Sequence, residues 1–124
     1  SDDLLIHEYV HILHWNIAGD PNLIPKWLWE GVALYKGCCQ WDHLEQLEYL
    51  QKEKFPSLRE INGQAELQYQ LGYSIIEFIV EKWDWAKVLS LLKNNGDIKE
   101  SLDLSTRALE REFYAFIKEK YLSK

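Results

Sequence analysis

The sequence has no methionine, no long apolar run and a shortage of positive charge. Without a methionine the natural initiator is missing, so we expect Ser1 to mark a processing point or an engineered junction. No apolar run approaches the roughly 18 residues that a membrane span needs. No signal-peptide pattern is present. We therefore predict no membrane span in this chain, and its localisation stays unknown from the sequence.

Basic residues are outnumbered, with 14 Lys and Arg against 20 Asp and Glu and a formal net charge of −6. A chain of this charge does not suggest a nucleic-acid or anionic-membrane partner. The hydrophobic fraction is 47% and the charged fraction 27%, which is ordinary for a soluble globular protein. A length of 124 residues suits one domain with one modest core.

The two cysteines, Cys38 and Cys39, are adjacent. Neighbouring cysteines rarely bridge each other because the resulting ring is strained. They do not match a C-x-x-C zinc pattern. We expect both cysteines to act as small apolar residues at the end of a helix. The alternative is that one of them pairs with a part of the protein outside this chain.

The most informative motif is H-E-x-x-H, formed by His7, Glu8 and His11. On a helix, residues four apart lie on the same face, so both imidazoles can reach one Zn²⁺. Glu8 is turned about 100° round the helix axis. It is badly placed as a third ligand on that face and well placed to hold a metal-bound water and take its proton. The motif therefore predicts a hydrolytic zinc site.

A catalytic zinc needs a third protein ligand and one open position. Eighteen residues separate His11 from Glu30, which lies within the segment W-L-W-E-G-V-A-L-Y that ends at Tyr35. H-E-x-x-H-x18-E resembles the gluzincin clan of zinc peptidases, and the segment is similar to the glutamate helix of bacterial peptidase MA-like families. The resemblance implies that His7, His11 and Glu30 bind Zn²⁺ and that Glu8 is the general base.

Two alternatives stand beside this assignment. The histidines could be core residues and the glutamate a capping residue, although a helix that is apolar on nearly all sides is buried and polar groups in it need partners. His14 lies three residues after His11 and is a rival third ligand. We prefer Glu30 because His14 does not fit the family spacing. His43, in a polar stretch, is predicted to be exposed to solvent.

The rest of the chain predicts an all-α fold, with no convincing strand and no internal repeat. After a first helix capped by Asp2 or Asp3, helices are expected over about 25–36, 64–82, 85–93, 98–102 and 106–122. Ser57 with Glu60 predicts a capping box. Residues 40–55 are either a weak helix or a surface excursion. On the long helix, the apolar stripe is Leu67, Leu71, Ile75, Phe78 and Ile79.

The oxyanion of peptide hydrolysis needs a further hydrogen-bond donor. In gluzincins a downstream Tyr or His often serves, so the resemblance implies Tyr73 or Tyr69 as catalytic residues. Core packing of both tyrosines is an equally good interpretation. We lean to Tyr73.

Gluzincin catalytic domains usually place a small β-sheet before the H-E-x-x-H helix, and none precedes it here. We therefore expect residues 1–124 to be the helical part of such a domain and a fragment of a longer protein, with the alternative of a minimal gluzincin that has only the helical part. The predicted function is a zinc metallopeptidase that acts on a peptide or protein substrate. The alternatives are an inactive or latent zinc-binding helical module, which the missing N-terminal region would complete, and a metal-free helical interaction domain.

Overall fold

The structure is a computed structural model that describes residues 21–37 and 39–123. The predicted first helix, with its possible caps Asp2 and Asp3, lies outside these ranges, as does Cys38. Within them the chain is helical and contains no strand. The all-α prediction is therefore confirmed for the part of the chain that is described.

Seven α-helices are labelled here in chain order within that part. They are α1 (Lys26–Gly37), α2 (Glu48–Gln51), α3 (Leu58–Asn62), α4 (Ala65–Lys82), α5 (Trp85–Lys93), α6 (Ile98–Leu102) and α7 (Thr106–Ile117). Short 3₁₀ turns cover Pro21–Leu23 and Leu44–Gln46, and a π-helical turn covers Lys118–Leu122. The predicted helices over 25–36, 64–82, 85–93 and 98–102 agree with α1, α4, α5 and α6 to within one residue.

The long helix α4 is the centre of the fold and packs against α1, α3, α5 and α7. Its predicted apolar stripe is buried at every position, namely at Leu67, Leu71, Ile75, Phe78 and Ile79. Because other elements cover more than one side of α4, some of its polar residues are buried as well as its apolar stripe. Gln70 is one of them, and its side-chain oxygen accepts a hydrogen bond of 2.6 Å from the Tyr49 hydroxyl.

Side-chain caps begin four of the helices, as local sequence predicts. At α3 the Ser57 hydroxyl accepts from the Glu60 amide at 3.1 Å, and the Glu60 carboxylate accepts from the Ser57 amide at 3.2 Å. This confirms the capping box. Helices α5, α6 and α7 are capped by Asp84, Asp97 and Ser105, whose side chains each accept one hydrogen bond from the backbone amide three residues further on.

Residues 40–55 are not one helix. The backbone is extended at Leu47, between the 3₁₀ turn and α2. Leu44 and Leu50 are nevertheless buried, and Leu47 is half-buried. The leucines three apart therefore mark a segment that is anchored to the core without being regularly helical.

The last helix is shorter than predicted, because α7 ends at Ile117 and the chain continues as the π-helical turn. Of the apolar residues in this region, Leu109, Phe113 and Ile117 are buried, whereas Phe116 and Leu122 are half-buried. Leu122 follows the change of helical pitch after Ile117, so the 3.6-residue period no longer predicts its burial.

The expectation for Cys39 was wrong. Its side chain is exposed and disulfide-bonded, so it is not a small apolar residue packed at a helix end. The strain expected in a bridge between neighbouring cysteines had pointed away from a disulfide.

Candidate functional site

The structure describes only part of the predicted site. His7, Glu8 and His11, together with the rival ligand His14, lie outside the described ranges. Glu30 lies on α1, and the two candidate tyrosines lie on α4. Of the predicted metal ligands and catalytic residues, the structure therefore describes Glu30, Tyr69 and Tyr73.

Glu30 is half-buried in the first half of α1. Ala33 and Gly37, three and seven residues further on, lie on approximately the same helix face and are both buried. One turn before Glu30, Lys26 is exposed. Glu30 therefore lies where this face of the helix passes from solvent into packed structure.

Helix α1 meets α4 at two glycines. A Cβ added to Gly31 would lie 2.8 Å from the carbonyl oxygen of Gly72, and one added to Gly72 would lie 3.0 Å from the Cα of Gly31. The helix backbones are thus in contact, with no room for a side chain. Among the described residues, the atoms nearest to Gly31 belong to Gly72 and Ile76 of α4.

This contact packs α4, which carries both candidate tyrosines, against α1, which carries Glu30. Tyr69 lies three residues before Gly72 and Tyr73 one residue after it, whereas Glu30 directly precedes Gly31. The contact between backbones fixes how α1 and α4 cross, and so it constrains the side chains on either side of the crossing.

The two tyrosines differ in their surroundings. Tyr69 is 55% exposed. Tyr73 is half-buried, and its ring centroid lies 5.2 Å from that of Tyr35, the last residue of the W-L-W-E-G-V-A-L-Y segment. Tyr35 in turn stacks on Trp85 at 6.1 Å. Of the two candidates, Tyr73 is the one whose position is held by neighbouring aromatic rings.

The pKa of the Tyr73 phenol is raised above its ordinary value. Partial burial is the main cause, the charge of Glu77 and the neighbouring Tyr35 add to it, and Lys120 opposes it. A phenol with a raised pKa keeps its proton at neutral pH and can donate a hydrogen bond.

A polar network that the sequence did not indicate lies one helical turn beyond Tyr73. The Tyr121 hydroxyl donates to Glu77 at 2.5 Å and accepts from the Gln40 amide at 2.6 Å. Lys120 Nζ lies 3.2 Å from a Glu77 oxygen. The partners are up to 81 residues apart in the chain, so no local pattern reveals them.

His43 is exposed, as predicted, and its Nδ1 lies 3.2 Å from a carboxylate oxygen of Glu45. No group of three or more His, Cys, Asp or Glu side chains within residues 21–37 and 39–123 could hold a metal. Those ranges contain Glu30 but neither predicted histidine ligand. In the same ranges, none of the helices combines the length and the apolar character that a bilayer crossing requires.

No family model matches the chain, and no curated protein or solved structure is significantly similar to it.

Proposed function

We propose that this chain is the helical part of a zinc-dependent metallopeptidase, which hydrolyses peptide bonds with Zn²⁺ as its cofactor. The observation that carries the proposal is the spacing H-E-x-x-H-x18-E, with His7, Glu8, His11 and Glu30 at its defined positions. The substrate is a peptide or a protein.

In this proposal His7, His11 and Glu30 hold the metal, a donor set of two imidazoles and one carboxylate that is common in zinc hydrolases. The position of Glu30 supports its part in that set. A half-buried carboxylate on a rigid helix, with Ala33 and Gly37 buried on the same face, is a better ligand position than one on a solvated loop. The contact at Gly31 adds to that rigidity.

When bound, Zn²⁺ would supply Lewis acidity, lowering the pKa of a water molecule and polarising the scissile carbonyl. Glu8 accepts a proton from the attacking water and then donates it to the leaving amine. The carboxylate thus moves one proton from the nucleophile to the product.

Tyr73 is proposed to donate a hydrogen bond to the oxyanion that forms on the substrate carbonyl. Its support is the position of its ring against Tyr35. Like an ordinary tyrosine, Tyr73 is protonated at neutral pH and can donate, and the raised pKa does not change this. Tyr69 is the second candidate, and its greater exposure makes it less well fixed. Loss of one such donor typically lowers kcat by about 10²–10³.

The test is cleavage of an internally quenched peptide library by the purified chain in the presence of zinc. Hydrolysis is expected for the wild type, and none for Glu8→Gln, which should still bind zinc. Glu100→Gln is the matched control, because Glu100 is exposed on α6, outside the proposed site. Cleavage by Glu8→Gln at the wild-type rate would contradict the assignment of the base.

The tyrosines are separated by Tyr73→Phe and Tyr69→Phe, each of which removes one hydroxyl. We expect a loss of about 10²-fold or more in kcat for Tyr73→Phe and little change for Tyr69→Phe. The reverse order would transfer the role to Tyr69. If the wild type binds zinc and cleaves no peptide, the chain is a zinc-binding module and not a peptidase in this form.

A further inference from the structure

A groove lined by residues far in sequence from the H-E-x-x-H motif contains several positively charged side chains. Arg107, Arg111 and Lys118 follow one another at intervals of four and seven residues, which places them on about one stripe of α7 and its continuation. All three line a groove of about 590 Å³ between this stripe and the segment 55–57. The volume is within the roughly 300–1,000 Å³ of known ligand pockets. We call it the arginine groove.

The floor of the arginine groove is apolar and held in place. The rings of Phe55 and Tyr114 stack at 4.6 Å between centroids, with 13° between their planes. Tyr114 is buried, and its hydroxyl donates a hydrogen bond of 2.5 Å to the carbonyl oxygen of Pro56. Phe55 is only half-buried, so a ring surface faces the groove from a fixed position.

The acidic side chains near the arginine groove are already engaged. Glu110 accepts a hydrogen bond of 2.7 Å from the Leu58 amide at the start of α3. Glu53 pairs with Lys118 at 2.7 Å, and this contact lowers the pKa of the Glu53 carboxyl. Within residues 21–37 and 39–123, by contrast, neither Arg107 nor Arg111 takes part in an ion pair.

Two arginines one turn apart on a helix repel each other. Another like-charged pair with this spacing, Glu77 and Glu81 on α4, is neutralised by ion pairs with Lys120. The arginine pair has no such counter-charge among the ion pairs within residues 21–37 and 39–123. An anionic ligand would remove the repulsion.

We propose that the arginine groove binds an acidic peptide segment of a partner protein. Two of its carboxylates would pair with Arg107 and Arg111, whose guanidinium groups match carboxylates geometrically. One aromatic or aliphatic side chain between them would lie on Phe55. Charge complementarity and the fixed apolar floor select this occupant. The proposal does not depend on the zinc site.

The test uses synthetic capped peptides and isothermal titration calorimetry with the whole chain. The probe is acetyl-Asp-Glu-Phe-Asp-Glu-amide, and its two matched controls replace the four acids with amides or the Phe with Ala. The protein variant is Arg107→Gln with Arg111→Gln. Its control, Lys26→Gln with Lys93→Gln, removes the same charge from exposed positions outside the groove.

We expect the acidic Phe peptide to bind the wild type and the lysine control with equal affinity. Its affinity for the arginine variant should be at least tenfold lower, and its affinity for the wild type should fall as the salt concentration is raised. Each control peptide should also bind at least tenfold more weakly. Equal binding by the arginine variant would overturn the proposal, as would equal binding of the amide peptide or no binding at millimolar peptide. Thermal unfolding of the arginine variant near the wild-type temperature shows that it is folded.

Discussion

The middle and the C-terminal end of α4 make contacts of different kinds. Near Gly72 the helix touches α1 backbone to backbone, with no space for a Cβ. Near its C-terminus it touches α7 through aromatic rings, with the centroid of Phe78 lying 6.0 Å from that of Phe113 and 5.4 Å from that of Phe116. The glycine contact buries little side-chain area and fixes position, whereas the aromatic contact buries much apolar area and provides stability.

The residues proposed for chemistry lie beside the glycine contact. Glu30 precedes Gly31, and Tyr73 follows Gly72. A site needs its groups held to within about half an ångström, which a contact between backbones provides better than side chains that can repack. We therefore expect substitutions at the aromatic contact to lower the free energy of unfolding most. Substitutions at the glycine contact should in addition disturb the geometry of the proposed site.

The largest effect on stability is expected from Phe113→Ala, at the aromatic contact. Phe113 is buried, and its truncation should lower the free energy of unfolding by about 4 kcal/mol. Urea denaturation followed by circular dichroism measures the change. Phe116→Ala is the control, and because Phe116 is only half-buried its loss should be smaller. Equal losses at the two positions would remove the link between burial and stability in this cluster.

The glycine contact is tested by Gly31→Ala. The added Cβ overlaps backbone atoms of Gly72, so overpacking should cost about 1–3 kcal/mol, partly offset by about 1 kcal/mol of helix propensity. A net loss of about 1 kcal/mol is expected, together with weaker zinc binding because α1 must shift.

Gly63→Ala is the matched control for this substitution. A Cβ at Gly63 would meet its nearest atom at 3.7 Å, in ordinary contact, so we expect a change within about 0.5 kcal/mol. If Gly31→Ala instead raises stability by about 1 kcal/mol, the two helices do not constrain each other as described.

The smallest effect is expected at Glu77, next to Phe78 on α4, where the Tyr121 hydroxyl donates a hydrogen bond to the carboxylate. Burial, together with this hydrogen bond, raises the pKa of Tyr121 from about 10 to about 12, although Gln40 and Lys120 oppose the rise. The folded state thus holds this proton more tightly than the unfolded state. Its contribution to stability is complete below pH 10 and is lost as the pH rises through about 12.

The Tyr121→Phe variant isolates that contribution. We expect the wild type to exceed the variant by about 1 kcal/mol below pH 10, and the difference to shrink between pH 10 and 12. Urea unfolding at a series of pH values measures it. A difference that stays constant up to pH 12 would mean that Tyr121 does not titrate with the raised pKa.

Much of the fold followed from local sequence signals. The period of Leu67, Leu71 and Ile75 identified α4 and its buried side, and Ser57 with Glu60 identified the start of α3. Such signals involve residues within a turn or two of each other, so one sequence is enough to detect them.

Contacts between distant residues were not predictable in the same way. The contact of Gly31 with Gly72 was not predicted, because a small residue permits a close approach without specifying to what. The link from Gln40 through Tyr121 to Glu77 was missed because its residues are far apart in the chain. Of the proposed site, the sequence provides the residues and their spacing. The described geometry provides the packing around Glu30 and Tyr73.

The central claim is tested most directly by the zinc content of the purified chain after dialysis, measured by mass spectrometry of the metal. We predict about one zinc per chain for the wild type and for Glu100→Gln, and far less for Glu30→Gln, which preserves shape and removes only the charged ligand. Full zinc occupancy in Glu30→Gln would contradict the account, because another side chain, such as His14, would then complete the site.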